Sequence, residues 1–186
     1  MVRKKLLIIG DTHIPDRALE IPRQLLEIIE SGKPYDIVVH TGDYTSEEIY
    51  EWVKSLGHEV YAVEGNMDWL GLPISEVFKL GKCDFGVVHG DQVYPRGNIR
   101  KLTLLARELR VKVLISGHTH DPFIKEYQGI YHINPGSLSG TWSGCGGSMK
   151  PSLIIAYYSE PTLKLLLYEL DRGLGKLSVK EFKISI

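Results

Sequence analysis

The sequence predicts an α/β fold, a layered sandwich, from three observations. Short apolar runs of strand length recur between Lys5 and Ser116 with helical patterns between them. The last third turns to strand runs separated only by turns. Each of the first five strand runs ends in a turn built from Gly with Asp, Asn or His.

Taken in order, Lys5–Gly10, Asp36–His40, Glu59–Glu64, Phe85–His89 and Lys112–Ser116 have the length and β-branched content of strands. Between them, Ala18–Ser31 spaces Leu19, Leu25, Leu26, Ile28 and Ile29 by threes and fours. Ser46–Leu56 opens near Thr45 and Glu48 like a capping box, and Ile99–Leu109 sets Leu102, Leu105, Ala106 and Leu109 on one face. These three segments are expected to be helices. The alternation predicts parallel strands joined by right-handed crossovers under a cover of helices. Phe123–Tyr127, Ile130–Ile133, Ser152–Tyr158, Leu163–Leu170 and Leu177–Ile184 are expected to be antiparallel strands, and Gly136–Gly147, rich in Gly and Ser, a loop. A mixed sheet, or two sheets face to face with helices outside, accommodates both halves.

The size, 186 residues with 43% hydrophobic, suits one domain over 1–186 with an apolar core, so any metal serves function rather than folding. Lys and Arg total 22 against 23 Asp and Glu, a net charge of -1, which provides no basic field for nucleic acid or anionic lipid. Cys83 and Cys145 form no Cys-x-x-Cys pair, which argues against a zinc ribbon or a disulfide framework. The start MVRKKLLIIGD reaches Asp11 too soon for a signal-peptide core, and no 18-residue apolar run exists, so the expectation is a cytoplasmic protein with no membrane contact.

The chemistry lies in the five turns: Gly10-Asp11-Thr12-His13, Thr41-Gly42-Asp43, Gly65-Asn66-Met67-Asp68, His89-Gly90-Asp91 and Gly117-His118-Thr119-His120. In an open parallel sheet the functional crevice lies outside the carboxyl ends of the strands, so these turns should converge. One at a time they are weak: an Asp after a strand is most often a helix cap, and a lone His is most often structural. Together, Asp11, His13, Asp43, Asn66, His89, His118 and His120 supply three oxygen and four nitrogen donors. That set suits two five- or six-coordinate first-row dications, with one carboxylate bridging, better than one tetrahedral zinc. Without thiolates the candidates are Mn2+, Fe, Zn2+ and Ni2+, and Mg2+ suits imidazole poorly.

The order Asp-x-His, Gly-Asp, Gly-Asn, His and Gly-His-x-His, each at a strand end, resembles the calcineurin-like metallophosphoesterases. The compact size, Asn134-Pro135-Gly136-Ser137 and the antiparallel tail are similar to the YfcE-type phosphodiesterases. Gly10–Pro15, His89–Pro95 and Leu114–His120 are also similar to the small subunit of the retromer sorting complex, a protein scaffold with little or no catalysis. The resemblance implies an αββα sandwich with two mixed β-sheets flanked by helices. It also implies two divalent ions, Mn2+ first among them: Asp11, His13 and His120 on one, Asn66, His89 and His118 on the other, and Asp43 bridging. The implied reaction is phosphodiester hydrolysis by a metal-bridging hydroxide, with Asp43, Asn66 and His120 as the catalytic residues and a small phosphodiester as substrate. The alternative it implies is a metal-binding scaffold for a protein partner. A complete set of seven ligands favours the enzyme, because a scaffold has no physical need of it.

Two positions depart from the family pattern. Met67 stands where relatives often carry a His after Gly-Asn, and it cannot donate a proton, so slow turnover or a preference for good leaving groups is expected. Asp91 stands where relatives often carry a second His; it is read either as a hydrogen-bond partner of a ligand imidazole or as a surface turn. His40 is expected to be structural or to support a ligand, His58 and His132 to be partly exposed strand residues, and Arg17 and Arg96 to be solvated loop residues that could contact substrate phosphate. Asp68 is read as an Asx turn or an orienting group, and Asn134–Ser137 as a loop bordering the metals whose backbone helps position substrate. Trp52, Trp69, Trp142, Tyr157, Tyr158 and Tyr168 are read mostly as packing, a few exposed ones marking a protein contact. The exposed edges of an antiparallel tail also suit a homodimer.

Overall fold

The computed structural model describes residues 3–186; Met1 and Val2, at the start of the expected domain, lie outside the described residues. Along the chain run β1 (Arg3–Ile9), α1 (Arg23–Gly32), β2 (Tyr35–His40), α2 (Glu47–Lys54), β3 (Gly57–Ala62), β4 (Ser75–Leu80) and β5 (Cys83–Val88). They are followed by α3 (Ile99–Glu108), β6 (Val113–Ser116), β7 (Phe123–Tyr127), β8 (Ile130–Asn134), β9 (Ser152–Ser159), β10 (Thr162–Asp171) and β11 (Lys176–Ser185). Two mixed sheets result, ordered β11-β10-β9-β1-β2-β3 and β4-β5-β6-β8-β7. In the first, β1 pairs parallel with β2 and antiparallel with β9; in the second, β5, β6 and β8 are parallel, with β4 and β7 antiparallel on the edges.

The layering follows from alternation along strands that are apolar on both faces. Leu6 and Ile8 of β1 pack between the sheets with Ile37, Phe85, Val87, Val113 and Ile115. Leu7 and Ile9 face the other way, onto Leu25 and Ile29 of α1 and Val53 of α2. On the outer face of the second sheet, Leu102 and Ala106 of α3 pack against Val88 and Leu114. The layers are therefore helix, sheet, sheet, helix, the αββα sandwich with two mixed sheets. No helix of the described residues is long and apolar enough to cross a membrane.

Three local expectations need correction. The first helix begins at Arg23 rather than Ala18, because Pro22 takes its N-cap and a residue before proline is steered away from helical backbone. An additional strand, β4, precedes β5, and the pair closes as a hairpin from Leu80 to Cys83 across Gly81-Lys82. The buried alternation of Phe78 and Leu80 ahead of Gly81 is the signal for it. His132 is fully buried on β8, with its Nε2 2.9 Å from Thr103 Oγ1 of α3, whereas His58 is exposed as expected.

Burial also pushes His132 down to about 4. The folded chain thus binds fewer protons than the unfolded chain between that value and the ordinary 6.5, so its contribution is complete above pH 6.5 and is lost as pH falls towards 4. His132→Gln is expected to remove about one proton, roughly 1.4 kcal/mol per pH unit, from the slope of stability against pH between 4.5 and 6. Urea titrations of both proteins across that range check it, and parallel slopes would refute the assignment.

Candidate metal centre

All seven predicted ligands meet at the carboxyl ends of five strands. Asp11 and His13 follow β1, Asp43 follows β2, Asn66 follows β3, His89 follows β5, and His118 and His120 follow β6. Five of them, Asp11, His13, Asp43, His118 and His120, hold left-handed backbone with φ of 48°, 50°, 59°, 66° and 55°. Each such residue costs on the order of 1–3 kcal/mol, and strain of that kind persists where surrounding structure over-determines it. Two glycines make the approach close enough: a Cβ on Gly65 would strike the Asp43 carboxylate, and one on Gly117 would come within 2.8 Å of Asp11 Oδ2.

The side chains form two adjoining groups. Ligating atoms of Asp11, His13, Asp43 and His120 all lie within 4.8 Å of one another, and all four residues are buried. His13 Nε2 is 3.2 Å from His120 Nε2, and His120 Nε2 is 3.4 Å from Asp11 Oδ1. In the second group His89 Nε2 stands 3.0 Å from Asn66 Oδ1 and 3.1 Å from His118 Nδ1. Asp43 joins them, with Oδ2 3.3 Å from His13 Nε2 and 3.5 Å from His89 Nε2.

Tautomers show what this arrangement wants. His89 Nδ1 lies 2.8 Å from the Thr41 carbonyl and His120 Nδ1 2.7 Å from the Thr141 carbonyl. A carbonyl only accepts, so both Nδ1 atoms carry hydrogen and both Nε2 atoms turn their lone pairs towards carboxylate and amide oxygens. His13 Nδ1 is buried without a hydrogen-bond partner, which leaves Nε2, in the cluster, as the ring's only engaged polar atom. The lone pairs of His89 Nε2 and His120 Nε2 thus face the carboxylate and amide oxygens of the cluster, a donor set that fits a cation.

Electrostatics agree. Burial pushes His13 down to about 3, helped by the Arg17 charge, and pushes His118 down to about 4, helped by His89 and Arg96, so both are neutral donors at pH 7. Burial pushes Asp43 up to about 6, with the Asp11 charge adding to it and His89 opposing it. Burial opposes charge on both Asp11 and His120, yet their mutual hydrogen bond and attraction outweigh it, holding Asp11 low and His120 high.

The supporting residues sort the remaining expectations. Asp68 is no simple turn residue: its carboxylate accepts from the backbone N–H of Asp43 (2.7 Å), Tyr44 (2.7 Å), Thr45 (3.0 Å) and Gly65 (2.9 Å), clamping two ligand turns together. His40 is structural, donating through Nε2 to Thr12 Oγ1 at 2.9 Å and accepting from Gly42 N–H at 3.1 Å. Asn134 and Ser137 are fully buried and brace the ligand turns, Asn134 Nδ2 donating to Gly117 O (2.9 Å) and Ser137 Oγ to Asp11 O (2.7 Å), so this run lies against the candidate metal turns. Asp91 is exposed, as in the surface-turn reading. Arg17 and Arg96 are exposed but anchored, donating to Trp142 O (2.8 Å) and Ser143 O (2.6 Å). Thr41 and Thr141, which fix two ligand tautomers, escaped sequence reasoning because they act through carbonyls that every residue possesses.

With fold and donors in place, the class is defined: the chain belongs to the calcineurin-like phosphoesterase superfamily, whose domain matches residues 5–152. The family is one of hydrolases, and family and cluster together point to divalent metal. A probable metallophosphoesterase of Methanocaldococcus jannaschii is 47% identical over 130 residues, which make up 70% of this chain and 66%, just under two thirds, of that protein. Vacuolar Protein Sorting 29 of Cryptosporidium parvum superposes with a TM-score of 0.93 at 28% identity, covering 100% of both chains. Vps29 of Entamoeba histolytica, solved with Zn2+, is 35% identical with a TM-score of 0.85, covering 97% of this chain and 98% of its own.

Asp68→Ala is expected to leave four backbone N–H groups without their acceptor, lower stability by about 3 kcal/mol or more, and weaken metal binding as the Asp43 turn loosens. Denaturant titration and calorimetric Mn2+ titration measure the two effects. Unchanged Mn2+ affinity would mean that the clamp serves the turn alone.

Proposed function

We propose that this chain hydrolyses phosphodiester bonds with two divalent ions. Asp11, His13 and His120 would hold one, Asn66, His89 and His118 the other, and Asp43 both. The observation that carries the reading is that Asp43 Oδ2 lies within 3.3 Å of His13 Nε2 and 3.5 Å of His89 Nε2, so one carboxylate oxygen serves both groups. Two ions so held supply water acidified to neutral pH and positive charge against the phosphoryl oxygens. Mn2+ leads the candidates, with Ni2+, Zn2+ and Fe behind, since the donors are nitrogen and oxygen without thiolate.

The protein's own groups add positioning. Asn66 is exposed at the mouth of the centre, where its amide can orient a phosphoryl oxygen. His120 and Asp11 lie buried at the base and keep the geometry rigid. Met67 reaches Asp43 Oδ1 only through its backbone N–H, at 2.9 Å, and brings no proton donor to the leaving group. Esters of acidic alcohols or phenols are therefore the favoured substrates.

A second reading, a docking scaffold for a protein partner, is favoured by the rim. Leu19 (91% exposed), Trp69 (71%), Tyr94 (79%) and Trp142 (56%) each sit on a loop that continues from a ligand turn or buttresses one. Large apolar side chains exposed on the loops beyond the ligand turns suit a partner that covers them.

Chelator-stripped protein given Mn2+, Ni2+, Zn2+ or Mg2+ singly, with bis-p-nitrophenyl phosphate as substrate and Asp43→Ala in parallel, tests the enzyme reading. Restored hydrolysis with Mn2+ is expected, falling by at least about a hundredfold in Asp43→Ala while the circular dichroism spectrum stays unchanged. Inactivity with every ion would turn the assignment to the scaffold, and activity retained in Asp43→Ala would remove the shared-carboxylate centre.

A further inference from the structure

A groove of about 910 Å³ lies between the segment that leads into α1, the loop that follows β8 and the turn from β10 to β11. Groove and centre share backbone. Arg17 and Ala18 donate their N–H groups to the His13 carbonyl at 2.9 and 3.1 Å, and Thr141, on the groove wall, accepts from His120 Nδ1 at 2.7 Å. The groove therefore adjoins the turns that carry His13 and His120.

The lining says what the groove would hold. Arg17 and Arg172 each donate to a backbone carbonyl, Trp142 O at 2.8 Å and Ser139 O at 2.6 Å, which orients the guanidinium and leaves its other N–H groups free. Among the described residues neither arginine forms an ion pair, whereas Arg23 nearby is paired with Glu27 at 2.7 Å. Glu20 is the one carboxylate in the lining, so the groove is net positive in a chain whose overall charge is -1. Beside the arginines the Trp142 indole and the Met149 thioether are 56% and 53% exposed, an open apolar face next to two oriented cations. An anchored guanidinium suits a phosphate's oxygens, and an exposed indole suits a flat ring.

We propose that this groove is a specificity pocket for a phosphodiester that carries a second phosphate beside a ring, the chemistry of a phosphorylated nucleotide. Arg17 and Arg172 take the second phosphate and Trp142 stacks on the ring. The proposal rests on the phosphodiesterase reading above and narrows its substrate class.

The test is calorimetric titration of Mn2+-loaded protein with thymidine 3′,5′-bisphosphate and with thymidine 5′-monophosphate, in the wild type and in the double variant Arg17→Gln, Arg172→Gln. The wild type is expected to prefer the bisphosphate by about tenfold or more, and the double variant to bind the two alike. Arg172→Lys is expected to keep part of the preference, since it retains charge but not the fork, and Trp142→Ala to weaken both nucleotides while sparing the ratio. Equal affinities in the wild type, or a preference that survives the double variant, would overturn the proposal. Circular dichroism of the double variant, expected at the wild-type spectrum, separates loss of the pocket from loss of the fold. Bis-p-nitrophenyl phosphate run alongside keeps the readings apart: no turnover with any ion defeats the phosphodiesterase reading, while the affinity ratio decides the pocket.

Discussion

One carboxylate holds the centre of this structure. Asp43 places a single oxygen against imidazoles from both groups of ligands, in a site where its own charge is opposed by burial and by the neighbouring Asp11. Two carboxylates and four imidazoles face one another there, and in a low-dielectric interior positive charge between them stabilises such a set. The strand ends, the left-handed turns and the Asp68 clamp are the means by which the fold keeps the donors from relaxing apart. Hydrophobic layers on both faces of β1 and β2 supply the stability that this strain draws down.

That arrangement explains why so much of the site was legible in the sequence. Metal ligation needs particular side chains, so the candidate ligands Asp11, His13, Asp43, Asn66, His89, His118 and His120 stand out by type and by their place after apolar runs. The αββα layering was legible for a similar reason, since doubly apolar strands require cover on both sides. What stayed hidden acts through groups without sequence identity or through distant partners. The Thr41 and Thr141 carbonyls fix ligand tautomers with atoms common to every residue. For Asp68 the sequence left an Asx turn and an orienting role open, because its four partners are backbone N–H groups, three of them more than twenty positions away. His132 looked like a half-exposed strand residue because nothing local reveals that α3 covers it with Thr103. The early start given to α1 came from Leu19, whose apolar character fits a helix face yet which stands almost wholly in solvent.

Leu19 also shows how the enzyme and scaffold readings share one molecule. The ligand turns are buried, strained and cross-braced, so any substitution there disturbs several donors at once. The loops beyond them, carrying Leu19, Trp69, Tyr94 and Trp142, are exposed and tied back by few bonds, such as Arg17 to Trp142 O and Arg96 to Ser143 O. Rigidity is thus confined to the chemistry, and recognition is left to the rim. A rim lined by arginines beside an indole selects an anionic small molecule, whereas a rim of apolar residues alone selects a protein surface. Here the Arg17, Arg172 and Trp142 side is of the first kind, while Trp69 and Tyr94 are exposed aromatic residues on separate loops. Recognition residues placed on such loops can change without disturbing the buried donors beneath them.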